Sequence, residues 1–230
     1  MFMSWNEPAL QTQSPPLSRL FRLLVLVLIV RVTVAVVLNY RQYIPPDFHS
    51  EFLRGRSSYF WHGYHWAFFA HLASGPISLI LGLILINDRF RMRFPKSHRR
   101  LGRIQVINVL GLVVPSGLWM ARYAITGSFA SLGFASLALA TGVSIAMGWR
   151  TAVKRRFKEH RRWMLRCFLL LCSAVVIRMI GGLATVLEFD ADWLYPLSAW
   201  CSWLVPLFAF ELFSNAKSGV PLNVRQRPVA

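Results

Sequence analysis

The sequence predicts an all-α, polytopic membrane protein, a bundle of six transmembrane helices, on three observations. Hydrophobic residues make up 55% of the chain and charged ones only 15%, and mean hydropathy is +0.45, beyond what a water-soluble domain carries. The apolar residues gather into six runs of bilayer length. Most charges fall in short patches between those runs, and the connections after the second and fourth runs are far more basic than those after the third and fifth.

A hydrocarbon layer about 30 Å thick takes roughly 20 helical residues. The first run of that size is Leu20 to Leu38, preceded by a Pro/Ser/Gln-rich leader containing Ser14, Pro15 and Pro16. It exceeds the apolar segment of a signal peptide, and Asn39-Tyr40-Arg41 offers no small-residue cleavage site, so it reads as a retained anchor. The second run is Trp66 to Ile86, stopped by Asn87-Asp88. The third covers Leu101 to Tyr123, the fourth Phe129 to Trp149, the fifth Trp163 to Leu187 and the sixth Trp193 to Phe213. The chain therefore divides into a flexible leader, 1–19, a membrane domain, 20–214, and a tail, 215–230.

Charge sets the expected orientation. The connection after the second span carries Arg89, Arg91, Arg93, Lys96, Arg99, Arg100 and Arg103, and the one after the fourth carries Arg150, Lys154, Arg155, Arg156, Lys158, Arg161, Arg162 and Arg166. Short cytoplasmic loops retain Lys and Arg, so both belong inside. The connection after the third span has only Arg122, and the one after the fifth has Glu188, Asp190 and Asp192 with no base. Both termini are then expected in the cytoplasm, with Lys217, Arg225 and Arg227 of the tail in agreement. The expected location is a bacterial inner membrane.

The net charge of +17 would suggest nucleic acid on composition alone, but its placement beside apolar spans points instead to anionic lipid headgroups as the partner, with no nucleic acid. A membrane-protein partner or a homo-oligomer is also compatible with it. The aromatic stretch Tyr59, Phe60, Trp61, His62, Tyr64, His65 and Trp66 reads as an interfacial segment along the headgroups. Cys167, Cys172 and Cys201 lie inside spans without metal-site spacing and read as small packing residues.

Ionisable side chains within spans are costly in lipid and mark candidate sites. Arg31 falls near the middle of the first span, and Arg178 about 18 Å along the fifth from Arg166. His71 shares a helix face with Gly75, Ser78 and Gly82, and the fourth span repeats a small-residue face at Gly133, Ser136, Ala140, Ser144 and Gly148. Such faces serve close helix packing or admit a flat ligand. His71 and Arg178, at comparable depth, are candidates for a ligand or proton site. Glu211 lies near the basic end of the sixth span, where an ion pair with the basic loops is expected.

Two inner loops end alike, with His98-Arg99-Arg100-Leu101-Gly102-Arg103 leading into the third span and His160-Arg161-Arg162-Trp163-Met164-Leu165-Arg166 leading into the fifth. If those helices are neighbours, His98 and His160 could ligate one haem iron from opposite sides, with Arg103 and Arg166 on the propionates. The alternative is two interfacial histidines in basic loops.

The stretch from Phe60 to Gly182, with HWAFFAHLASGP, PKSHRRLGR, KEHRRWMLR and Arg178, resembles the bacterial membrane proteins grouped as domain-of-unknown-function family 2306. The resemblance implies a multi-pass protein and no particular chemistry. A weaker resemblance is to the cytochrome b-561 family, in which four consecutive helices bind two haems. His71, His98 and His160 fall on the corresponding second, third and fifth spans. The fourth span has no histidine, so at most a b-type haem on His98 and His160 carries over.

Three functions follow as expectations. The first is a redox component holding a b-type haem or reacting with quinone. The second is a small transporter or anion carrier with Arg31 and Arg178 in a central cavity. The third is an accessory subunit without chemistry of its own. Whether the protein is an enzyme stays open, since no nucleophile-base constellation, phosphate-binding loop or HExxH motif supports a hydrolase.

Overall fold

The computed structural model describes residues 16–50, 52–124 and 126–218. The leader before Pro16, the tail residues Arg225 and Arg227, and the side chain of Lys217 lie outside what is described. Among the described residues the chain is helical, without strands, and six helices are long and apolar enough to cross a bilayer. They are α1 (Leu23–Gln42), α2 (Ser57–Ile86), α3 (Pro95–Arg122), α4 (Ser128–Val153), α5 (Phe157–Val186) and α6 (Leu194–Ser214). Only helices keep every backbone N–H and C=O satisfied along such a path in lipid.

Three helices, α2, α3 and α5, begin well ahead of their apolar runs. α3 starts at Pro95 and α5 at Phe157, so the two His-Arg-Arg segments are first helical turns rather than loop ends. Pro95 stands at the first helical position, where its missing N–H costs nothing and its fixed φ favours the turn. At α5 the pair Arg156–Glu159 spans the first turn.

One core joins five of the helices: Ile29 of α1, Leu79 of α2, Val109 and Val113 of α3, Ile145 of α4, and Cys167, Leu171, Cys172 and Val175 of α5. The two cysteines are free thiols packed as small apolar groups. α2 packs extensively on α3 and α4 on α5, and α6 lies against both α4 and α5. Their closeness comes from glycine. A Cβ on Gly148 would stand 2.6 Å from Met164 Sδ, and one on Gly133 would stand 3.0 Å from Trp200 Nε1. Gly82 of α2 faces Phe168 in the same way, at 2.6 Å, whereas Gly75 has open space before it. The small-residue faces therefore serve packing at Gly82, Gly133 and Gly148.

α3 carries a five-residue π turn, Val109–Val113, just before Pro115. Proline cannot donate to the carbonyl four residues back and clashes with it, so the ladder widens there. α1 is the outlier. Ile29 and Thr33 are its buried residues, and Val27, Val30, Val34 and Val37 stay exposed.

The aromatic stretch at the start of α2 is two-sided: Phe60 and Tyr64 pack with Leu53 and Phe68 as a second core, while Trp61, His62 and Trp66 stay exposed. The organiser is Arg56, buried, whose guanidinium donates to Phe52 O (2.7 Å), Tyr123 O (2.9 Å) and Tyr59 Oη (3.1 Å). It also sits over the Phe52 ring at 4.6 Å. The first turns of α2 are kinked at Gly63, whose φ of +100° is a conformation that L side chains rarely adopt.

Candidate functional site

A file of polar side chains runs through the bundle between α2 and α3. His71, Ser74 and Ser78 share one face of α2 by their three- and four-residue spacing, and Gln105, Asn108 and Ser116 face them from α3. Asn108 Nδ2 donates to Ser78 Oγ (2.7 Å) and to Ser74 O (3.1 Å), and Gln105 Nε2 donates to Ser78 O (3.1 Å). Gln105 is only 2% exposed and Asn108 8%, so these amides pair with α2 because no water or lipid group is there to take them. Two atoms of the file, Ser74 Oγ and Gln105 Oε1, are buried with no hydrogen-bond partner among the described residues.

At the end near the aromatic core the file reaches His71. Its Nδ1 lies 3.0 Å from Ser116 Oγ, and that hydroxyl spends its own proton on Leu112 O at 2.5 Å. Ser116 must then accept from His71, which puts the imidazole proton on Nδ1 and leaves the Nε2 lone pair bare. The ring packs beside Gly117, whose Cβ position is 3.6 Å from His71 Cε1, an ordinary contact distance. Arg178 of α5 lies in electrostatic reach of His71 and of Tyr40, Tyr43 and Tyr195. Its Nη1 donates to Ala174 O at 2.8 Å, and Tyr40 Oη donates to Leu72 O at 2.6 Å. His71 and Arg178 thus feel one another's charge while each bonds within its own helix pair or helix.

At the basic end, His160 Nδ1 donates to Gly148 O at 2.8 Å, which leaves its Nε2 bare as well. His98 is in electrostatic reach of His160, and its own Nδ1 is buried without a partner among the described residues. The arginines expected beside them go elsewhere. Arg166 forms a two-pronged pair with Glu211 of α6, Nε to Oε1 at 2.5 Å and Nη2 to Oε2 at 3.0 Å, and Arg162 adds a third contact at 3.1 Å. The ion pair expected of Glu211 is therefore present, and it removes Arg166 from the histidines. Arg103 points to a recess on the outer face of α3.

Arg31 is exposed on α1, and no described residue bonds or pairs with it.

Gln105, Asn108, Ser116 and Tyr40 are members of these clusters that sequence reasoning passed over. The available signal was the QVIN segment, two amides three residues apart at the start of an apolar run. Weighing only ionisable groups hid it.

The family described as predicted membrane protein (DUF2306) matches residues 68–214, from within α2 to the end of α6. No curated protein and no solved structure matches the chain. The weaker likeness to cytochrome b-561 accordingly finds no support there.

Proposed function

The chain belongs to this DUF2306 family of predicted membrane proteins, and on that premise we propose that it is a redox component of the membrane, in which His98 and His160 would hold a b-type haem at the basic end. The observation that carries the reading is the His160 Nδ1–H bond to Gly148 O, which fixes the tautomer and presents Nε2 as a ligand atom, the second partner that metal-binding histidines regularly have. The orphaned Nδ1 of His98 nearby adds a second imidazole whose bonding is incomplete. Among the described residues no group of three or more His, Cys, Asp or Glu gathers. Two imidazoles suit an iron whose other four positions a macrocycle fills.

Such a group would supply a one-electron couple when bound. The chain's own part at the other end is a polar site, where Ser116 orients His71 through Nδ1 and Arg178, in electrostatic reach of the imidazole, favours an anionic form of whatever approaches. With Arg166 held by Glu211, the reading rests on the imidazoles and not on paired propionate arginines. The excess of Lys and Arg at the His98/His160 end supports placing that end in the cytoplasm of a bacterial inner membrane.

The test is an absorption spectrum with iron analysis on detergent-purified protein. A Soret band is expected, abolished by His98→Ala or His160→Ala and retained by His49→Ala, an exposed histidine outside the cluster. A colourless, iron-free preparation that also fails to take up added haem would overturn the proposal.

A further inference from the structure

The two helix starts with the same His-Arg-Arg signature differ in how their cations are met. On α5, Arg156 pairs with Glu159, Arg161 with Asp88 at 2.9 Å, and Arg162 and Arg166 with Glu211. On α3, Lys96, Arg99, Arg100 and Arg103 have no acidic partner among the described residues, although all four line one recess of about 170 Å³. Four like charges around a hollow repel one another, and an arrangement of that kind is relieved by an anion placed between them.

A second recess, about 360 Å³, continues from the first and shares Arg103 with it. Its other walls are Val106, Ile107 and Trp149, all apolar apart from the indole N–H. Arg103 to Ile107 is about one helical turn, some 6 Å further into the membrane. The cationic hollow thus lies at headgroup depth and the apolar one beneath it, between α4 and the Pro95–Asn108 part of α3, which touches α4 only lightly although the rest of α3 packs closely on it. Ile107 is exposed, and Ile104 beside it also, so the groove opens sideways to lipid. Trp149 stands at the boundary, where an indole is favoured.

We propose that this groove binds one anionic phospholipid, its phosphate among Lys96, Arg99, Arg100 and Arg103 and an acyl chain along Val106, Ile107 and Trp149. An anion without a chain would leave the lower recess unfilled, and a zwitterionic lipid would bring its own cation to the four already there. The site is independent of the haem reading, because Arg103 faces this groove and none of its other walls belongs to the histidine cluster.

The test uses full-length protein in detergent, titrated with phosphatidylglycerol brominated on its acyl chains, with tryptophan fluorescence as the readout. Saturable quenching is expected in the wild type, and Trp149→Phe should lose that component. The triple variant R99Q/R100Q/R103Q should bind about a hundredfold more weakly, at roughly 1 kcal/mol per basic residue. R89Q/K154Q/R155Q removes the same charge at the same end without touching the groove and should stay within about threefold of wild type. Four outcomes would overturn the assignment. Brominated phosphatidylcholine could quench equally, as ordinary boundary lipid does. Inorganic phosphate at equal concentration could displace the lipid, the mark of a plain anion site. The triple variant could bind as the wild type does, or the two triple variants could weaken alike.

Discussion

The first turns of α3 and α5 carry the same His-Arg-Arg words and end in opposite circumstances. At α5 the histidine bonds to Gly148 of α4, and the arginines are drawn to Glu159, Asp88 and Glu211. At α3 the histidine keeps an unpartnered nitrogen, and the basic side chains stand around an open hollow. Nothing within either motif dictates this. The difference lies in the neighbours, since α5 is wrapped by α4 and α6 while the outer side of α3 faces lipid. A repeated motif is thus a repeated potential, and the surrounding carboxylates decide which copy is used for structure.

That contrast can be broken most sharply at two glycines. Gly148→Leu drives a side chain into Met164, already 2.6 Å from a bare Cβ, and disturbs the carbonyl that holds His160. A loss of about 3 kcal/mol or more is expected, and about 1–3 for Gly148→Ala, read as thermal unfolding in detergent. Gly102, in the basic first turns of α3, has nothing within 4 Å of its Cβ position. Gly102→Ala should therefore hold or raise stability by up to about 1 kcal/mol, as helix propensity predicts. Equal losses at both positions would mean that α3 and α5 are packed alike at their basic ends after all.

A smaller effect is expected from Glu211→Gln, which strips the partner from Arg162 and Arg166. About 1–2 kcal/mol should go, because the bonds are charge-assisted but the carboxylate is about 30% exposed. The same melting experiment in high salt should bring wild type and variant closer together. Smallest is Asp88→Asn. Its bonds to Arg91 (3.0 Å) and Arg161 (2.9 Å) join side chains about half exposed on both sides. A shift under about 0.5 kcal/mol is expected.

The six spans were legible because hydrocarbon imposes length and polarity on any crossing segment. The Glu211 pair was legible for a related reason, since an acid at the basic end of a span has few other partners. The starts of α3 and α5 were not, because arginine-rich turns carry no apolar period, and Pro95 was the one signal that a helix begins there. The polar file escaped notice because its bonds join residues far apart in the chain, such as Gln105 to Ser78, and uncharged amides leave no mark in a charge census. The aromatic stretch was legible in part, since the rings of Trp61 and Trp66 stay exposed, but the inward packing of Phe60 and Tyr64 depends on the buried Arg56, tied to Tyr123 O across 67 residues.

Arg31 has a consequence of its own. From Arg22 to Arg41 is about 28 Å of helix, and Arg31 falls near the halfway point, on a side of α1 that the other described residues leave bare. An arginine arm does not stretch to either surface from there. Once inserted, this helix must either pull water and phosphate down along its flank, thinning the bilayer, or meet an acid on another polypeptide. The surroundings of α1 in a living membrane are thus set as much by this one cation as by the valines around it.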